Sequence, residues 1–377
     1  MRKKKILVVF GTRPEAIKFA PVIKELSKFF DLKICSTGQH KELLDQVTEL
    51  FEIEVDYELN IMQSSQGLNE ITSKIIIKLD KVLEESEPDL VIVHGDTTTC
   101  MAAALAAFYK KIRVAHLEAG LRTNDIYSPF PEELNRQITS LIADIHFAPT
   151  KMAADKLLEE NIDSNKIKVV GNSVIDALLG ILPFARKQNF PKKFLNQAPF
   201  LNDYNPDQNP LIVVTGHRRE NFGEGINQIC LAIKEIAHIM PSVYIIFSVH
   251  LNPNIKEPVE KILKNVKNVF LVEPLDYLYF VKLLDLSYLI LTDSGGIQEE
   301  APTLGKPVII MREKTERREG IESGTVFLQG SSQGSIVSKA LELLRDRKLY
   351  KEVSAISNPY GDGKTSSRVA KHLLEVL

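Results

Sequence analysis

The chain has 377 residues, of which 44% are hydrophobic and 25% charged, and its formal net charge is −2 at pH 7. This balance is typical of a globular protein with two or three domains, and it offers no bulk charge for binding nucleic acid or an anionic membrane. Three widely spaced cysteines favour a reducing compartment over a disulfide framework. Because the longest apolar run, residues 100–109, is too short to cross a bilayer, we expect a cytoplasmic protein.

Short apolar runs alternate with helical patterns along the first half of the chain. Residues 6–10 form a continuous apolar run, which is typical of a strand buried on both faces. In residues 68–82 the apolar side chains recur every three or four positions, which predicts an amphipathic helix. Further strands are predicted at residues 32–36, 90–93, 114–117, 145–148 and 168–170.

The alternation breaks around residues 180–210, where prolines cluster, and it then restarts. Strands are predicted there at residues 211–215, 243–249, 269–272, 288–291 and 308–311, and helices at residues 226–239, 297–304 and 363–377. Two successive series of strands and helices predict an α/β protein with two doubly wound parallel sheets. We place the connection between them in the proline-rich segment or just before it, near Gly171.

The stretch YLILTDSGGIQEEA, residues 288–301, combines an apolar strand, a turn with Ser294, Gly295 and Gly296, and the start of a helix. This geometry binds phosphate, because free backbone N–H groups and the positive end of the helix dipole point outward. A carboxylate there, from Glu299 or Glu300, can accept two ribose hydroxyls, as in dinucleotide sites. A tight turn capped by its own polar side chains is the alternative interpretation.

Polar side chains follow nearly every predicted strand. They include Arg13, Gln39, His40, His94, Asp96, His116, Glu118, His217, Arg218, Arg219, His250 and Ser294. Ligands of open α/β sheets bind beyond the carboxyl ends of the strands, so two such sheets facing each other would enclose one cleft lined by these groups. At these positions, Arg13 and His217 favour an anionic ligand.

Three acids, Asp96, Glu118 and Glu132, lie at predicted strand or helix ends. Helix capping explains one or two of them, but three are more than capping requires, and acid–base chemistry is the functional alternative. The histidines lack the spacing of metal ligands, so we expect no metal. No G-x-G-x-x-G motif follows the first strand, so we expect no nicotinamide cofactor.

Eight motifs occur in an order that is specific as a set. They are Phe10-Gly-Thr-Arg-Pro-Glu15, Val93-His-Gly-Asp-Thr-Thr98, His116-Leu-Glu-Ala-Gly-Leu-Arg-Thr123, Pro129-Phe-Pro-Glu-Glu-Leu-Asn-Arg136, Gly216-His-Arg-Arg-Glu220, Val249-His-Leu-Asn-Pro253, Thr292-Asp-Ser-Gly-Gly-Ile-Gln-Glu-Glu300 and Asn358-Pro-Tyr-Gly-Asp-Gly363. From the first strand to the last helix, the sequence closely resembles the bacterial non-hydrolysing UDP-N-acetylglucosamine 2-epimerases.

The resemblance implies a glycosyltransferase-B-like fold with two Rossmann-like domains facing a cleft. The first would comprise residues 1–171 with a returning helix in residues 361–377, and the second, which binds UDP, residues 172–360. It also implies a homodimer without metal or cofactor, activated by a second molecule of UDP-N-acetylglucosamine. The implied reaction interconverts UDP-N-acetylglucosamine and UDP-N-acetylmannosamine by elimination and re-addition of UDP through 2-acetamidoglucal, and its product would serve cell-surface polysaccharide synthesis.

The resemblance also assigns residues to roles. The positions linked to catalysis are Lys18, Asp96, Glu118, Glu132 and His217. Those that suit UDP are Arg13, Ser294, Gly295, Gly296 and Glu300. Those that match the regulatory sugar nucleotide are Gln39, Gln66, Arg218 and His250.

Several other functions remain open at this point. A UDP-sugar glycosyltransferase would share the nucleotide site, but the acids Asp96, Glu118 and Glu132 argue against it. A hydrolysing epimerase differs only in whether water or UDP captures the intermediate, and an epimerase of a UDP-diacetamido sugar differs only in its substrate. A sugar-nucleotide-binding regulator would need neither Lys18 nor the acids.

Overall fold

A computed structural model of the chain describes residues 3–38, 41–63, 66–206 and 208–377. The chain forms two compact units, one of Met1–Gly180 with Tyr360–Leu377 and one of Ile181–Pro359. The predicted domain boundary after residue 171 stays a prediction. In the described part of the chain, no helix is both long enough and apolar enough to span a membrane.

The first unit contains a seven-stranded sheet with the order β3-β2-β1-β4-β5-β6-β7, and all its pairings are parallel. Its strands are β1 Lys5–Phe10, β2 Asp31–Ser36, β3 Tyr57–Glu58, β4 Leu90–His94, β5 Arg113–Leu117, β6 Ile145–Ala148 and β7 Ile167–Val169. The helices between and after them are α1 Arg13–Leu26, α2 Lys41–Leu50, α3 Leu68–Ser86, α4 Thr98–Tyr109, α5 Glu132–Ile142, α6 Lys151–Glu159 and α7 Ser173–Lys187, with a 3-10 turn at Ser164–Lys166.

The second unit contains a six-stranded sheet with the order β10-β9-β8-β11-β12-β13, again parallel throughout. Its strands are β8 Leu211–Gly216, β9 Tyr244–Val249, β10 Val269–Val272, β11 Leu289–Thr292, β12 Val308–Ile310 and β13 Val326–Leu328. The helices are α8 Lys192–Gln197, α9 Glu224–Ile239, α10 Pro253–Leu263, α11 Tyr277–Leu286, α12 Gly295–Glu300, α13 Arg318–Ser323, α14 Gln333–Arg345 and α15 Arg347–Ser354; 3-10 turns lie at Pro199–Asn202, Arg219–Asn221 and Ala301–Leu304. The last helix, α16 Thr365–Val376, belongs to the first unit.

These sheets confirm the predicted α/β fold class. The continuous apolar runs become strands covered on both faces, and all five residues of β4 are buried. The predicted stripe of α3 also forms, with Ile71, Ile75 and Leu79 buried in the core of the first unit. Each such side chain contributes about 1.5–3 kcal/mol of hydrophobic stabilisation.

Two boundaries differ from the sequence-based prediction. The helix expected at residues 297–304 is α12 from Gly295, followed by the 3-10 turn, because Pro302 cannot donate the backbone hydrogen bond that an α-helix would need. The last helix, expected at residues 363–377, begins at Thr365, because Gly363 has a φ of +77°, outside the helical region.

The strand order reverses at one point in each sheet. In the first unit β1 lies between β2 and β4, and in the second β8 lies between β9 and β11. Connections leave such a pair of central strands toward opposite faces, so a crevice opens at their carboxyl ends, where doubly wound proteins bind ligands. The loops after β1, β4, β8 and β11 are therefore the segments to search for a site.

Candidate functional site

A buried carboxylate joins the loops after β1 and β4. Oε2 of Glu15 accepts the backbone N–H groups of Gly11 and Thr12 at 3.0 and 2.8 Å and the Thr12 hydroxyl at 2.8 Å. Its Oε1 accepts the Thr97 hydroxyl at 2.7 Å. Burial raises the pKa of Glu15, and these hydrogen bonds oppose the shift. The carboxylate fixes the two loops that form the first switch point, and we did not predict this role from the sequence.

Lys18 and Glu118 form an ion pair at this edge of the sheet. Lys18 Nζ contacts Glu118 Oε2, and the two side chains are only 9% and 8% exposed. Asn172 donates its side-chain N–H to the same oxygen at 2.8 Å, and His94 Nε2 lies 3.9 Å from it. Glu118 has a φ of +62°, in the left-handed region that residues with a β-carbon rarely adopt.

Asp96 is held by helix α5. Arg136, which is buried, donates to Asp96 Oδ2 from Nε at 3.0 Å and from Nη2 at 2.5 Å. Asn135 donates its side-chain N–H to the Asp96 carbonyl at 2.9 Å. Arg136 Nη1 donates to Glu133 at 2.9 Å. Since the Asp96 side chain is 26% exposed whereas Arg136 is 3% exposed, only the carboxylate reaches the surface of the crevice.

The two acids at the start of α5 have different environments. Glu132 is the first residue of the helix. Glu133 is fully buried and accepts the backbone N–H groups of Thr123 and Asn124 at 3.1 and 3.2 Å. Glu133 therefore holds the loop that precedes α5.

His116, at the same edge, is a structural residue. Burial lowers the pKa of His116 to about 3, so the ring is neutral at pH 7. Its Nε2 therefore donates to the Gly95 carbonyl at 2.7 Å. This bond connects β5 to the loop after β4.

In the second unit, Asp293 joins the loops after β8 and β11. It is fully buried and accepts the backbone N–H of His217 at 3.0 Å, the backbone N–H of Arg218 at 2.9 Å and the side-chain N–H of Asn221 at 3.1 Å. The His217 ring stacks on His250 with centroids 6.0 Å apart. Burial lowers the pKa of His217, and the nearby Asp293 carboxylate acts in the opposite direction.

The two glycines after Ser294 have different surroundings. A β-carbon on Gly295 would lie 2.7 Å from Nη1 of Arg317, whose Nε donates to Glu299 at 2.7 Å. A β-carbon on Gly296 would meet nothing within 4 Å. Packing therefore explains the absence of a side chain at Gly295, whereas the space beside Gly296 is open to a ligand.

Glu300 is oriented at the end of α12. It is buried, and its Oε1 accepts the hydroxyl of Tyr277 at 2.7 Å. The neighbouring Glu299 forms a buried ion pair with Arg317.

The predicted regulatory residues are divided between the units. Gln66, in the first unit, accepts the backbone N–H of Gln63 at 2.9 Å. Arg218 and His250 belong to the second unit, and Gln39 lies outside the described residues. Among the residues that the structure describes, no three His, Cys, Asp or Glu side chains are arranged to hold a metal ion.

Two parallel doubly wound sheets, each with polar side chains at the switch point, define a two-domain Rossmann-like α/β protein of the glycosyltransferase-B type. A glycosyltransferase of Rickettsia africae shares this fold at 15% identity, with a TM-score of 0.60 over 100% of both chains. Residues 24–374 match the family model described as UDP-N-acetylglucosamine 2-epimerase.

Two relatives match over nearly the whole chain. The Salmonella typhimurium LT2 protein named UDP-N-acetylglucosamine 2-epimerase is 52% identical over 372 residues, which are 98% of each chain. The crystal structure of UDP-GlcNAc 2-epimerase from Neisseria meningitidis bound to UDP-GlcNAc is 50% identical, with a TM-score of 0.92 over 98% of this chain and 100% of that one. The chain belongs to the UDP-N-acetylglucosamine 2-epimerase family, and it is an enzyme of that family.

Proposed function

We propose that this enzyme interconverts UDP-N-acetylglucosamine and UDP-N-acetylmannosamine without hydrolysing either. The observation that carries the proposal is the buried contact between Lys18 and Glu118 at the carboxyl edge of the first sheet. Glu118 also has an unfavourable backbone conformation, and such strain is concentrated at functional sites. Membership of the epimerase family, whose Neisseria member was crystallised with UDP-GlcNAc, supports a UDP-sugar as the substrate.

The chemistry begins with departure of UDP, because the C2 proton is not next to a carbonyl and resists direct removal. The C1–O bond breaks, and the phosphate oxygen keeps the electron pair. The positive charge that develops on C1 acidifies C2–H, and loss of that proton to a base gives 2-acetamidoglucal. In the return step a proton adds to the opposite face of C2, and the UDP oxygen attacks C1.

The two faces of C2 require two proton-transferring groups. We assign these roles to the set Asp96, Glu118 and Glu132. Lys18 balances the charge of Glu118, which would otherwise be a buried and uncompensated carboxylate. Arg136 balances the charge of Asp96, whose carboxylate is partly exposed.

The second unit supplies the nucleotide site in this proposal. Ser294, Gly295 and Gly296 approach the diphosphate through their backbone, and we assign Arg13 and His217 to the phosphates as well. The open space at Gly296 supports this assignment. Glu300, oriented by Tyr277, accepts the ribose hydroxyls.

We also propose the properties that accompany this activity in similar bacterial enzymes. We assign Gln39, Gln66, Arg218 and His250 to the recognition of a second UDP-GlcNAc, which would activate the enzyme. The working enzyme would be a cytoplasmic homodimer that uses no metal or nicotinamide. Its product, UDP-N-acetylmannosamine, would supply cell-surface polysaccharide synthesis.

The proposal is tested by Asp96→Asn, Glu118→Gln and Glu132→Gln. Turnover is followed by chromatographic separation of the two UDP-sugars, and UDP affinity is measured separately by calorimetry. We expect at least about 100-fold slower turnover, typical for loss of an acid–base group, with UDP affinity within about twofold of the wild type. Glu159→Gln, an exposed carboxylate on α6, is the control and keeps full activity. Normal turnover of any of the three variants would overturn the role assigned to that residue.

A further inference from the structure

We infer that Asn172 is a positioning residue for Glu118, and that the segment Tyr360-Gly-Asp-Gly363 holds Asn172 in place. The inference rests on the proposed function of Glu118 and adds to it a residue from outside the loops at the switch point. Asn172 follows β7, which is four strands away from β1 in the sheet order, and precedes α7.

The orientation of the Asn172 amide is determined by its partners. Its Oδ1 accepts the backbone N–H of Val174 at 3.0 Å, in the first turn of α7. Its Nδ2 must therefore face Glu118, where it donates to Oε2 at 2.8 Å. Asn172 is 2% exposed, so no water competes freely for that donor. The amide and Lys18 both bind Oε2 of Glu118. Because this oxygen is fixed, the direction of the other carboxylate oxygen is fixed as well.

The backbone of Asn172 is held from the other end of the chain. Its N–H donates to the carbonyl of Tyr360 at 2.7 Å, and Tyr360 is itself 2% exposed. The approach is close, because a β-carbon on Gly361 would lie 3.4 Å from the Asn172 nitrogen. On the other side, Gly171 has a φ of +98°, and a β-carbon there would lie 2.7 Å from Thr365 Oγ1.

This contact gives the Asn358-Pro-Tyr-Gly-Asp-Gly363 motif a role. Its sequence superficially resembles a phosphate-binding loop, but it follows no strand and lacks the first glycine of that motif. In the structure its Tyr360 carbonyl instead orders the residue that orients Glu118. The two glycines, Gly171 and Gly361, permit the close approach of the two segments.

A carboxylate whose direction is fixed transfers a proton faster than one that rotates, and displacements of about 1 Å can slow a reaction about 100-fold. The informative variant is Asn172→Asp. It keeps the oxygen that caps α7 but replaces the donor with a second carboxylate oxygen facing Glu118, which disturbs that group through like-charge repulsion. Because the cap survives, loss of activity would not reflect loss of the helix.

The experiment compares Asn172→Asp, Asn172→Ala, Glu118→Gln and the control Asn268→Asp. Asn268 donates to the Ala237 and Val243 carbonyls in the second unit, so its variant tests a purely structural asparagine. Five quantities are measured: kcat and KM for UDP-GlcNAc, the isotope effect with C2-deuterated substrate, the Kd for UDP, and the melting temperature.

We expect Asn172→Asp and Asn172→Ala to lower kcat about 100-fold, with KM and the UDP Kd within about twofold and a larger isotope effect. Asn268→Asp should lower only the melting temperature. If Glu118→Gln is inactive while both Asn172 variants turn over normally, the positioning role is wrong and the proposed function stands. If Glu118→Gln is fully active, the role of Glu118 fails, and the role of Asn172 fails with it. The inference would also be overturned if the Asn172 variants changed only the melting temperature or only KM and kept the wild-type kcat.

Discussion

Arg136 donates from both Nε and Nη2 to a single oxygen of Asp96, over 3.0 and 2.5 Å. Its third nitrogen, Nη1, is held by the buried Glu133 at 2.9 Å. The guanidinium is thus fixed at both ends, and it determines where the other oxygen of Asp96 points. A lysine ammonium cannot reproduce this planar arrangement of donors.

We therefore expect Arg136→Lys to lower kcat about 100-fold, because Asp96 loses its fixed direction. Arg136→Ala should be as slow, and free guanidinium should partly restore its turnover. Arg186→Ala is the control: Arg186 forms an exposed pair with Asp285, so turnover should not change and should not respond to guanidinium. Wild-type kcat in Arg136→Lys would contradict a positioning role.

The glycines of α12 give a second prediction. Gly296→Ala should leave the melting temperature unchanged or raise it, since its β-carbon meets nothing within 4 Å and alanine favours helix. It should weaken UDP binding about tenfold, equivalent to about 1.4 kcal/mol, because the methyl group occupies the space assigned to the diphosphate.

Gly295→Ala is the matched comparison, because its β-carbon would displace the Arg317 guanidinium. We expect it to lower the melting temperature as well as the affinity for UDP. Calorimetry with UDP and thermal unfolding distinguish the two variants. An unchanged Kd for UDP in Gly296→Ala would argue against a diphosphate at that position.

Asp293→Asn tests the connection between β8 and β11. The amide retains one acceptor oxygen, but its N–H₂ would face the backbone N–H groups of His217 or Arg218. We expect a loss of about 1–3 kcal/mol in the free energy of unfolding, typical of a buried donor left unsatisfied. UDP affinity should fall as well, because His217 moves. Urea unfolding and calorimetry measure both effects, and Asp155→Asn, at an exposed position on α6, provides the comparison. Unchanged stability would show that Asp293 does not hold this loop.

The buried histidines make the free energy of unfolding depend on pH. Burial lowers the pKa of His116 to about 3 and that of His146 to about 4, whereas both titrate near 6.5 when unfolded. Between the folded and unfolded pKa values, the unfolded chain binds more protons than the folded one. The free energy of unfolding therefore has its full value above about pH 6.5 and decreases as the pH falls toward 4.

His146→Leu removes one of these titrations. Its unfolding free energy should decrease less steeply than that of the wild type between pH 6 and pH 4.5, by about 1.4 kcal/mol for each pH unit. Urea unfolding at three pH values is sufficient to measure the slopes. Identical slopes for the two proteins would mean that His146 is protonated in the folded state.

The fold could be predicted because its strands are continuous apolar runs separated by amphipathic helices. The strands that were not predicted, β3 and β13, are short. β3 has two residues and β13 has three, and neither carries enough side chains to show a pattern. The helical content of residues 181–187 was also missed, because Pro183 is accommodated inside α7.

In the candidate site, only residues whose own position in the sequence indicates a function could be predicted. Polar side chains at strand ends identified Asp96, Glu118 and His217, and the structure describes their surroundings. Their partners were missed, since Arg136 lies 40 positions from Asp96 and Asn172 lies 54 from Glu118. Only the folded chain brings these pairs together. The roles of all these residues in catalysis stay predictions.

The central claim is that C2 is inverted through loss and return of its proton while UDP is retained. The direct measurement is proton NMR of the enzyme with UDP-N-acetylglucosamine in D₂O. We expect UDP-N-acetylmannosamine to appear with deuterium at C2, deuterium also to enter the remaining UDP-N-acetylglucosamine, and little free UDP to accumulate. Free N-acetylmannosamine with an equal amount of UDP, or product that retains its C2 proton, would contradict the account.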